Sequence, residues 1–265
     1  MAQQLVELEM AGRVAVLRLN DPPTRNSLTF EMVERLRDLL DVVESRAGAM
    51  ILTGAGTAFC SGANLNGGFV YGFEDPDYSD AGKPLETHMN PLVSRLRGLQ
   101  IPWISAVRGA AAGAGMSLAL AADMVIAGET AKFTQAFARI ALVPDAGSVH
   151  MLVRTVGRVR ANELMMLAEP LSAGRALELG LVNRVVPDDD LEKEAFSFAR
   201  RLAGGSTAIG AIRALSWQAV DDSFGNVLWA EREAQRTAGR SADHREGVKA
   251  FTEKRAPKFE EEIHD

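Results

Sequence analysis

The sequence is poor in the residues that form disulfides and bind metals. It has one cysteine, Cys60, and four histidines, at positions 88, 150, 244 and 264. A single cysteine excludes a disulfide within the chain and suits a reducing compartment, so we expect a cytoplasmic protein. The histidines and the cysteine do not have the spacing of metal ligands, and we therefore predict no metal site.

Excess positive charge and long apolar runs are also missing. The formal net charge is −6, which argues against binding to nucleic acid or to an acidic membrane surface. An anionic ligand must then be held by a local basic patch. No apolar run reaches the ~20 residues needed to cross a bilayer, and the N-terminus lacks the basic-then-apolar pattern of a signal sequence. We expect no membrane partner.

The order of apolar segments along the chain predicts an α/β fold. Strand-like segments at 5–9 and 14–19 flank a hairpin-like Gly12-Arg13 pair, and Thr29 is placed to cap a helix. From residue 149 onward, helices are predicted near 149–168, 172–180, 188–203, 207–222, 223–239 and 242–253. We place the α/β core in residues 1–200 and a helical C-terminal region in residues 201–265.

Two loops of small residues each follow a short strand-like segment and lead into a helix-like one. The first, TGAGTAFCSGANL, spans 53–65, and the second, RGAAAGAGM, spans 108–116. Small residues let a ligand approach the backbone closely, and free N–H groups at a helix N-terminus can bind an anion or a developing oxyanion. Two such loops suggest a two-sided oxyanion hole, although tight helix packing explains either loop alone. Neither loop matches a dinucleotide or phosphate-loop fingerprint.

The two loops, in this order and spacing, resemble those of the enoyl-CoA hydratase/isomerase family, the crotonase superfamily. The resemblance covers nearly the whole chain. It rests on the segments 25–28 (RNSL), 56–65, 102–123, 133–147, 171–186 and 251–259 (FTEKRAPKF). It implies a spiral core of repeated ββα turns with two nearly perpendicular sheets, and a helical C-terminal region that builds homotrimers, often paired into hexamers. The implied substrate is an acyl-CoA thioester, and no separate cofactor is expected because coenzyme A is part of that substrate.

The resemblance also assigns an oxyanion hole, position by position. The backbone N–H groups of Ala63 and Ala114 are expected to hold the thioester oxygen as it becomes negative on enolisation. Ala114 stands where the family often has glycine, and Asn64 stands where it usually has aspartate. Alanine at position 114 still supplies a backbone N–H. We expect the residue at position 64 to support the oxyanion hole without contacting the thioester oxygen.

Coenzyme A binding is implied for residues of the first loop and for basic residues elsewhere. The expected contacts are Arg25, Ser61, Ala63 and Leu65, with Lys254 and Lys258 reaching the nucleotide from a neighbouring subunit. For any one of the charged residues, a solvated surface position is the alternative.

The acid–base positions depart from the pattern of the family's hydratases, which resemble one another in two glutamates. Ser117 and Phe137 occupy those positions here. Phenylalanine cannot transfer a proton and serine is a poor base without help, so two-glutamate hydration is not expected.

Asp145 instead resembles the carboxylate base of the family's double-bond isomerases, including the ring-1,2-epoxyphenylacetyl-CoA isomerase branch. Allylic isomerisation needs only one base, so we predict an enoyl-CoA isomerase with Asp145 as proton shuttle; a simple Pro-Asp-Ala-Gly turn is the alternative.

Three other functions stay open. The first is an enoyl-CoA hydratase that uses other acid–base groups, such as Glu129 or Glu163. The second is a CoA-thioester binder that has lost its chemistry. The third is a serine hydrolase, because GMSLA at 115–119 nearly matches a nucleophile elbow with Asp145 and His150 or His244 downstream; the last glycine of that motif is missing.

The acyl group cannot be read from the sequence. Six residues are candidates to line its pocket, although core packing is the commoner role of such side chains. They are Phe69, Tyr71, Phe73, Trp103, Met116 and Phe137.

Overall fold

A computed structural model describes residues 4–66 and 80–259. Within them the strands are β1 (Val6–Ala11), β2 (Val14–Leu19), β3 (Ala49–Gly54), β4 (Trp103–Val107), β5 (Ala110–Ala112), β6 (Met124–Gly128), β7 (Lys132–Thr134), β8 (Leu171–Ser172) and β9 (Arg184–Val186). They form a six-stranded sheet in the order β1-β2-β3-β4-β6-β9 and a three-stranded sheet in the order β5-β7-β8.

The helices within the described residues pack around these sheets. They are α1 (Phe30–Arg46), α2 (Asn90–Arg97), α3 (Ala114–Leu120), α4 (Ser148–Leu167), α5 (Ala173–Glu178), α6 (Leu191–Ala203), α7 (Ala208–Asp221), α8 (Phe224–Ala238) and α9 (Ala242–Glu253). A π-helical turn, Leu85–Met89, leads into α2, and 3-10 turns cover Pro22–Thr24, Ala136–Ile140 and Asp188–Asp190.

The large sheet sets the position of both small-residue loops. β1 and β2 are antiparallel, and β2, β3, β4, β6 and β9 run parallel to one another. β3 and β4 are buried along their whole length, as expected for near-continuous apolar segments inside a parallel sheet. Because β3 and β4 are parallel neighbours, the loops that follow them leave the same edge of the sheet.

Two apolar clusters cover the two faces of the large sheet. The larger cluster includes Leu36, Leu52 and Trp103 and holds α1, α2 and α3 against one face. The smaller includes Ile51, Ile104 and Ala199 and holds α6 against the other face. The strands therefore alternate their side chains between two buried layers.

Most of the predicted elements are present. Thr29 caps α1 by accepting a hydrogen bond from Met32 N at 3.1 Å, and α4 to α9 follow the six helices predicted from residue 149 onward. The mixed α/β fold with two sheets and a helical C-terminal region is confirmed. One assignment was wrong: Ala110–Ala112, taken as loop, forms β5 because it pairs in parallel with β7.

A buried ion pair joins the C-terminal helices to the core. Arg213 of α7 donates to Asp123 Oδ2 at 2.7 Å and to the carbonyl oxygens of Leu96 and Arg97 at 2.8 Å each. Trp217 Nε1 donates to Asp123 Oδ1 at 2.9 Å. α7 is therefore held by hydrogen bonds as well as by apolar contact.

The outer faces of the C-terminal helices carry exposed apolar side chains. Trp229 is 67% exposed and Phe251 is 87% exposed; further examples are Ile212, Phe224, Leu228 and Val248. Large exposed apolar side chains are often found at interfaces between proteins. Among the described residues, no helix is long and apolar enough to cross a membrane.

Candidate active site

The two small-residue loops are joined edge to edge. Cys60 N donates to Ala110 O at 3.0 Å, and Ala112 N donates to Cys60 O at 3.0 Å. Gly115, in the first turn of α3, lies so close to the first loop that a Cβ atom there would be 2.3 Å from Cys60 O. Only glycine permits this approach, which brings the N-terminus of α3 onto the first loop.

The same contact brings Ala63 and Ala114 together. A Cβ atom on Gly62, the residue before Ala63, would lie 3.7 Å from Ala114 N. Ala114 is the first residue of α3, so its N–H has no acceptor inside the helix. In residues 4–66 and 80–259, neither Ala63 N nor Ala114 N donates a hydrogen bond to the protein. Two unpaired N–H groups on adjoining loops can bind one ligand oxygen.

Asp145 lies in a tight turn that leads into α4. Ser148 N donates to Asp145 O at 3.0 Å, and the left-handed φ values of Ala146 (51°) and Gly147 (79°) complete the turn. Asp145 Oδ1 is buried and has no hydrogen-bond partner in the part of the chain that the structure describes. The turn that sequence alone could not distinguish from a catalytic position is present, and it carries a partly buried carboxylate with one buried oxygen.

Burial changes the acidity of this carboxylate. Desolvation raises the pKa of Asp145 to about 6, because the ionised form loses contact with water. A carboxylate with this pKa is ionised at neutral pH and is a stronger base than an exposed aspartate. Gln135 Nε2 is a second buried atom without a described partner, while Gln135 Oε1 accepts from Ser148 Oγ at 3.5 Å.

The two positions that replace the hydratase glutamates are buried and carry no acid. A Cβ atom on Gly113 would lie 3.9 Å from Cζ of Phe137, so the phenyl ring lies beside the start of α3. Ser117 Oγ donates to Gly113 O of its own helix at 3.3 Å. Ala114 begins α3, Asp145 lies three residues before the start of α4, and the two helices pack against each other.

Some of the predicted coenzyme A residues lie together and others do not. Ser61 N donates to Arg25 O at 3.0 Å and Ser61 Oγ donates to Thr24 O at 2.9 Å, so both residues border the Ala63 segment. Arg25 and Leu65 are exposed. Lys254 and Lys258 are also exposed, at the end of α9, and no hydrogen bond or ion pair links them to Arg25 among the described residues.

Other candidates are placed elsewhere. His150 Nε2 lies 3.2 Å from Asp221 Oδ1 on α7, within ion-pair distance but outside hydrogen-bond geometry. Trp103 and Met116 are core residues, and Phe69, Tyr71, Phe73 and His264 lie outside the described residues. The described His, Cys, Asp and Glu residues form no group of three that could hold a metal ion.

A cavity of about 520 Å³ lies between the core and α7, and its lining includes Arg13, Glu44, Gln100 and Asp243. Asp145 is not among the residues that line this cavity. The buried oxygen of Asp145, rather than cavity size, identifies the candidate site.

Sequence reasoning missed the role of Asn26. This residue is fully buried and its side chain binds the first small-residue loop. Asparagine after an Asp-Pro-Pro turn is ordinarily a loop residue, so only its place in the RNSL segment could have pointed to it.

Comparison with known proteins shows which family and fold this chain resembles. The model of the enoyl-CoA hydratase/isomerase family matches residues 9–262. A 1,2-epoxyphenylacetyl-CoA isomerase of Escherichia coli K12 is 44% identical over 251 residues, covering 93% of this chain and 94% of the relative. A protein named a probable enoyl-CoA hydratase in Rhodobacter capsulatus is 39% identical, covering 98% and 99%. The crystal structure of an enoyl-CoA hydratase from Polaromonas sp. JS666 superposes with a TM-score of 0.88 at 32% identity, covering 96% and 99%.

Proposed function

The chain belongs to the enoyl-CoA hydratase/isomerase family, and we propose that it shifts the carbon–carbon double bond of an enoyl-CoA, with Asp145 as the base that moves the proton. The observation that carries this proposal is the buried Oδ1 of Asp145, which has no hydrogen-bond partner among the described residues. That burial raises the pKa of the carboxyl to about 6. One such carboxylate is sufficient for an allylic proton shift.

The proposed reaction starts from a β,γ-enoyl-CoA. The N–H groups of Ala63 and Ala114 donate to the thioester oxygen, and Asp145 removes a proton from C2. The C–H electron pair moves into the C2–C1 bond as the negative charge develops on the oxygen, giving a dienolate. Asp145 then returns the proton to C4, the double bond forms between C2 and C3, and the charge leaves the oxygen. Water takes no part and no net proton is exchanged.

The coenzyme A portion is assigned to the surface around the first loop. Arg25, Ser61 and Leu65 border Ala63 in this chain, and Lys254 and Lys258 of a neighbouring subunit are proposed to complete the nucleotide site. This requires a homotrimer, or a hexamer made of two trimers, for which the exposed apolar faces of α8 and α9 supply a surface. No separate cofactor is needed for the proton shift.

Hydration is the alternative, since relatives named as hydratases also match the chain. It needs a second acid–base group, and the candidates for that role are unfavourably placed. Glu129 is exposed, and Glu163 is exposed and paired with Arg160 at 2.7 Å. A serine hydrolase is disfavoured because the Ser117 hydroxyl is buried and bonded within its own helix.

A substrate panel tests these functions. A β,γ-enoyl-CoA, crotonyl-CoA and 1,2-epoxyphenylacetyl-CoA are supplied to the wild type, with double-bond shift, hydration and thioester hydrolysis scored separately; the epoxide is included because the relative of 44% identity is named for it. We expect double-bond isomerisation to be far faster than hydration of crotonyl-CoA. Fast hydration would refute the one-carboxylate site, an absence of any turnover would favour a CoA-thioester binder, and hydrolysis lost in Ser117→Ala would favour the hydrolase.

A further inference from the structure

Asn26 holds an unusual backbone conformation for a buried side chain. It has a φ of 57° and follows Arg25, which has a φ of 58°. Two successive left-handed residues other than glycine are strained, although asparagine tolerates this region better than most residues. Such strain persists only where the surroundings fix it. Asn26 is 0% exposed, and its hydrogen bonds account for the fixed conformation.

The side chain of Asn26 binds the start of the first small-residue loop. Nδ2 lies 2.9 Å from Ala55 O, 2.8 Å from Ala58 O and 3.2 Å from Phe59 O. Its two hydrogens are therefore shared among three carbonyl oxygens. Oδ1 accepts from Asp21 N at 2.9 Å, and Asn26 N donates to Asp21 O at 2.8 Å. One amide thus ties the loop before α1 to the loop after β3.

The end of the same loop is tied to the residues beside Asn26. Leu28 N donates to Gly62 O at 2.8 Å, and Asn64 N donates to Leu28 O at 2.9 Å, so Leu28 and Ala63 pair as an isolated bridge. Ala63 therefore lies between two bonds to Leu28, and the path back to β3 is held by Asn26. The direction of the Ala63 N–H depends on both attachments.

We propose that Asn26 is a positioning residue for the oxyanion hole, which acts by fixing the loop that presents the N–H of Ala63. The inference rests on the proposed function, because it takes Ala63 as a donor to the thioester oxygen. Because Asn26 is fully buried, the proposed role is to act through the loop and not by contact with the substrate. Catalytic donors must be held within about 0.5 Å of their working position, so loosening the three carbonyl contacts weakens the donor without removing it.

The test uses Asn26→Gly, because glycine adopts a φ of 57° without strain and removes every side-chain bond. We expect kcat to fall by ~10–10²-fold, as for a small misplacement of a catalytic group, with KM nearly unchanged. The decisive readout is optical. Bound cinnamoyl-CoA absorbs at longer wavelength when its thioester oxygen is polarised, and this shift should shrink in Asn26→Gly. A folded variant that keeps the wild-type shift and kcat would overturn the proposal.

Asn26→Asp is the second variant and decides the matter if Asn26→Gly does not fold. Its carboxyl faces three carbonyl oxygens, stays protonated and supplies one donor in place of two, so we expect a smaller loss of kcat and of the spectral shift. Wild-type values in folded Asn26→Asp would also overturn the proposal. Thr24→Val is the matched control in the same loop: it removes the bonds of Thr24 Oγ1 to Asp21 and from Ser27 N but none to the carbonyls of Ala55, Ala58 and Phe59. It should behave as wild type.

The optical readout also separates this inference from the proposed reaction. If the wild type does not isomerise a β,γ-enoyl-CoA but shows a spectral shift that Asn26→Gly loses, the positioning role stands and the isomerase is refuted. If cinnamoyl-CoA binds to the wild type without any shift, the oxyanion hole is refuted and the role of Asn26 with it.

Discussion

Cys60 and Ala111 pair as an isolated parallel bridge, and this pairing joins the two loops that carry Ala63 and Ala114. The bridge has room to form because Gly115 lacks a side chain at the point where α3 meets Cys60 O. The geometry of the candidate oxyanion hole thus depends on one glycine in the first turn of a short helix.

Gly115→Ala should therefore damage both stability and activity. The added Cβ would lie 2.3 Å from Cys60 O, a backbone atom that cannot move aside without separating the loops. We expect a loss of about 1–3 kcal/mol in the free energy of unfolding, as for other overpacked sites, together with a lower kcat. Chemical denaturation and steady-state kinetics measure the two effects.

The matched control is Gly174→Ala, which also changes the second residue of a short helix. No heavy atom lies within 4 Å of the added Cβ there, so stability should be unchanged or rise by about 0.4–1 kcal/mol. Equal effects of the two substitutions would show that a Cβ atom at position 115 is accommodated beside Cys60.

Asp145→Asn should remove the base while it keeps the size of the side chain. We expect kcat for double-bond isomerisation to fall by ~10²–10⁴-fold with KM little changed, whereas Ser117→Ala should cost much less. Single-turnover measurements with a β,γ-enoyl-CoA separate the chemical step from binding. Retention of most of the activity in Asp145→Asn would reduce this aspartate to a turn residue.

The wild-type rate should follow the ionisation of Asp145. Because its pKa is raised to about 6 and the base must be ionised, kcat/KM should increase with pH and level off above about pH 7. The rate should be measured from pH 5 to 8 at constant ionic strength. A rate that does not vary over this range would contradict the assignment of the base.

Stability should respond to pH in the opposite direction. A carboxyl whose pKa is higher in the folded state than the ~3.9 of a free aspartate stabilises the fold at low pH, and that contribution is lost as pH rises through about 6. Asp145→Asn lacks the loss and should be more stable than wild type above pH 7, by at most about 3 kcal/mol. Urea denaturation at pH 4.5 and 7.5 measures the difference, with exposed Asp189→Asn as the charge control.

Arg25→Ala should weaken coenzyme A binding more than catalysis. Arg25 is exposed beside Ser61, so the phosphate binding proposed for it is electrostatic and should decrease with salt. We expect KM to rise with kcat little changed. Arg35→Ala, which removes an exposed arginine from α1, is the control. An unchanged KM in Arg25→Ala would remove this residue from the site.

The oligomeric state is also open to measurement. The exposed Trp229 and Phe251 lead us to expect a trimer or hexamer by light scattering, and Trp229→Glu should shift it towards the monomer. Val42→Glu changes an apolar residue on α1 that is less exposed, at 37%, and should have no effect on the oligomeric state. A wild type that stays monomeric at micromolar concentration would contradict the proposed nucleotide site between subunits.

The sequence predicts the parts of this molecule that depend on local chemistry. The cap at Thr29 and the six helices predicted from residue 149 onward are visible in the sequence as capping residues and apolar periodicity. β5 is not visible, because three alanines form a strand only when β7 supplies a partner, and that pairing is a tertiary effect. The same limit applies to Asp145, whose turn is local but whose burial depends on packing, and to Asn26, whose three acceptors lie about 30 residues further along the chain.

The buried contacts of Arg213 have a consequence for how the protein unfolds. Its guanidinium donates to Asp123 and to the carbonyl oxygens at the end of α2, so withdrawing α7 would break these bonds and leave the Asp123 carboxylate with the Trp103 N–H as its remaining donor among the described residues. That cost falls on the α/β core, not on the helix that leaves. The core and α7 should therefore melt in one cooperative transition, and thermal inactivation should begin with global unfolding rather than with detachment of the C-terminal helices.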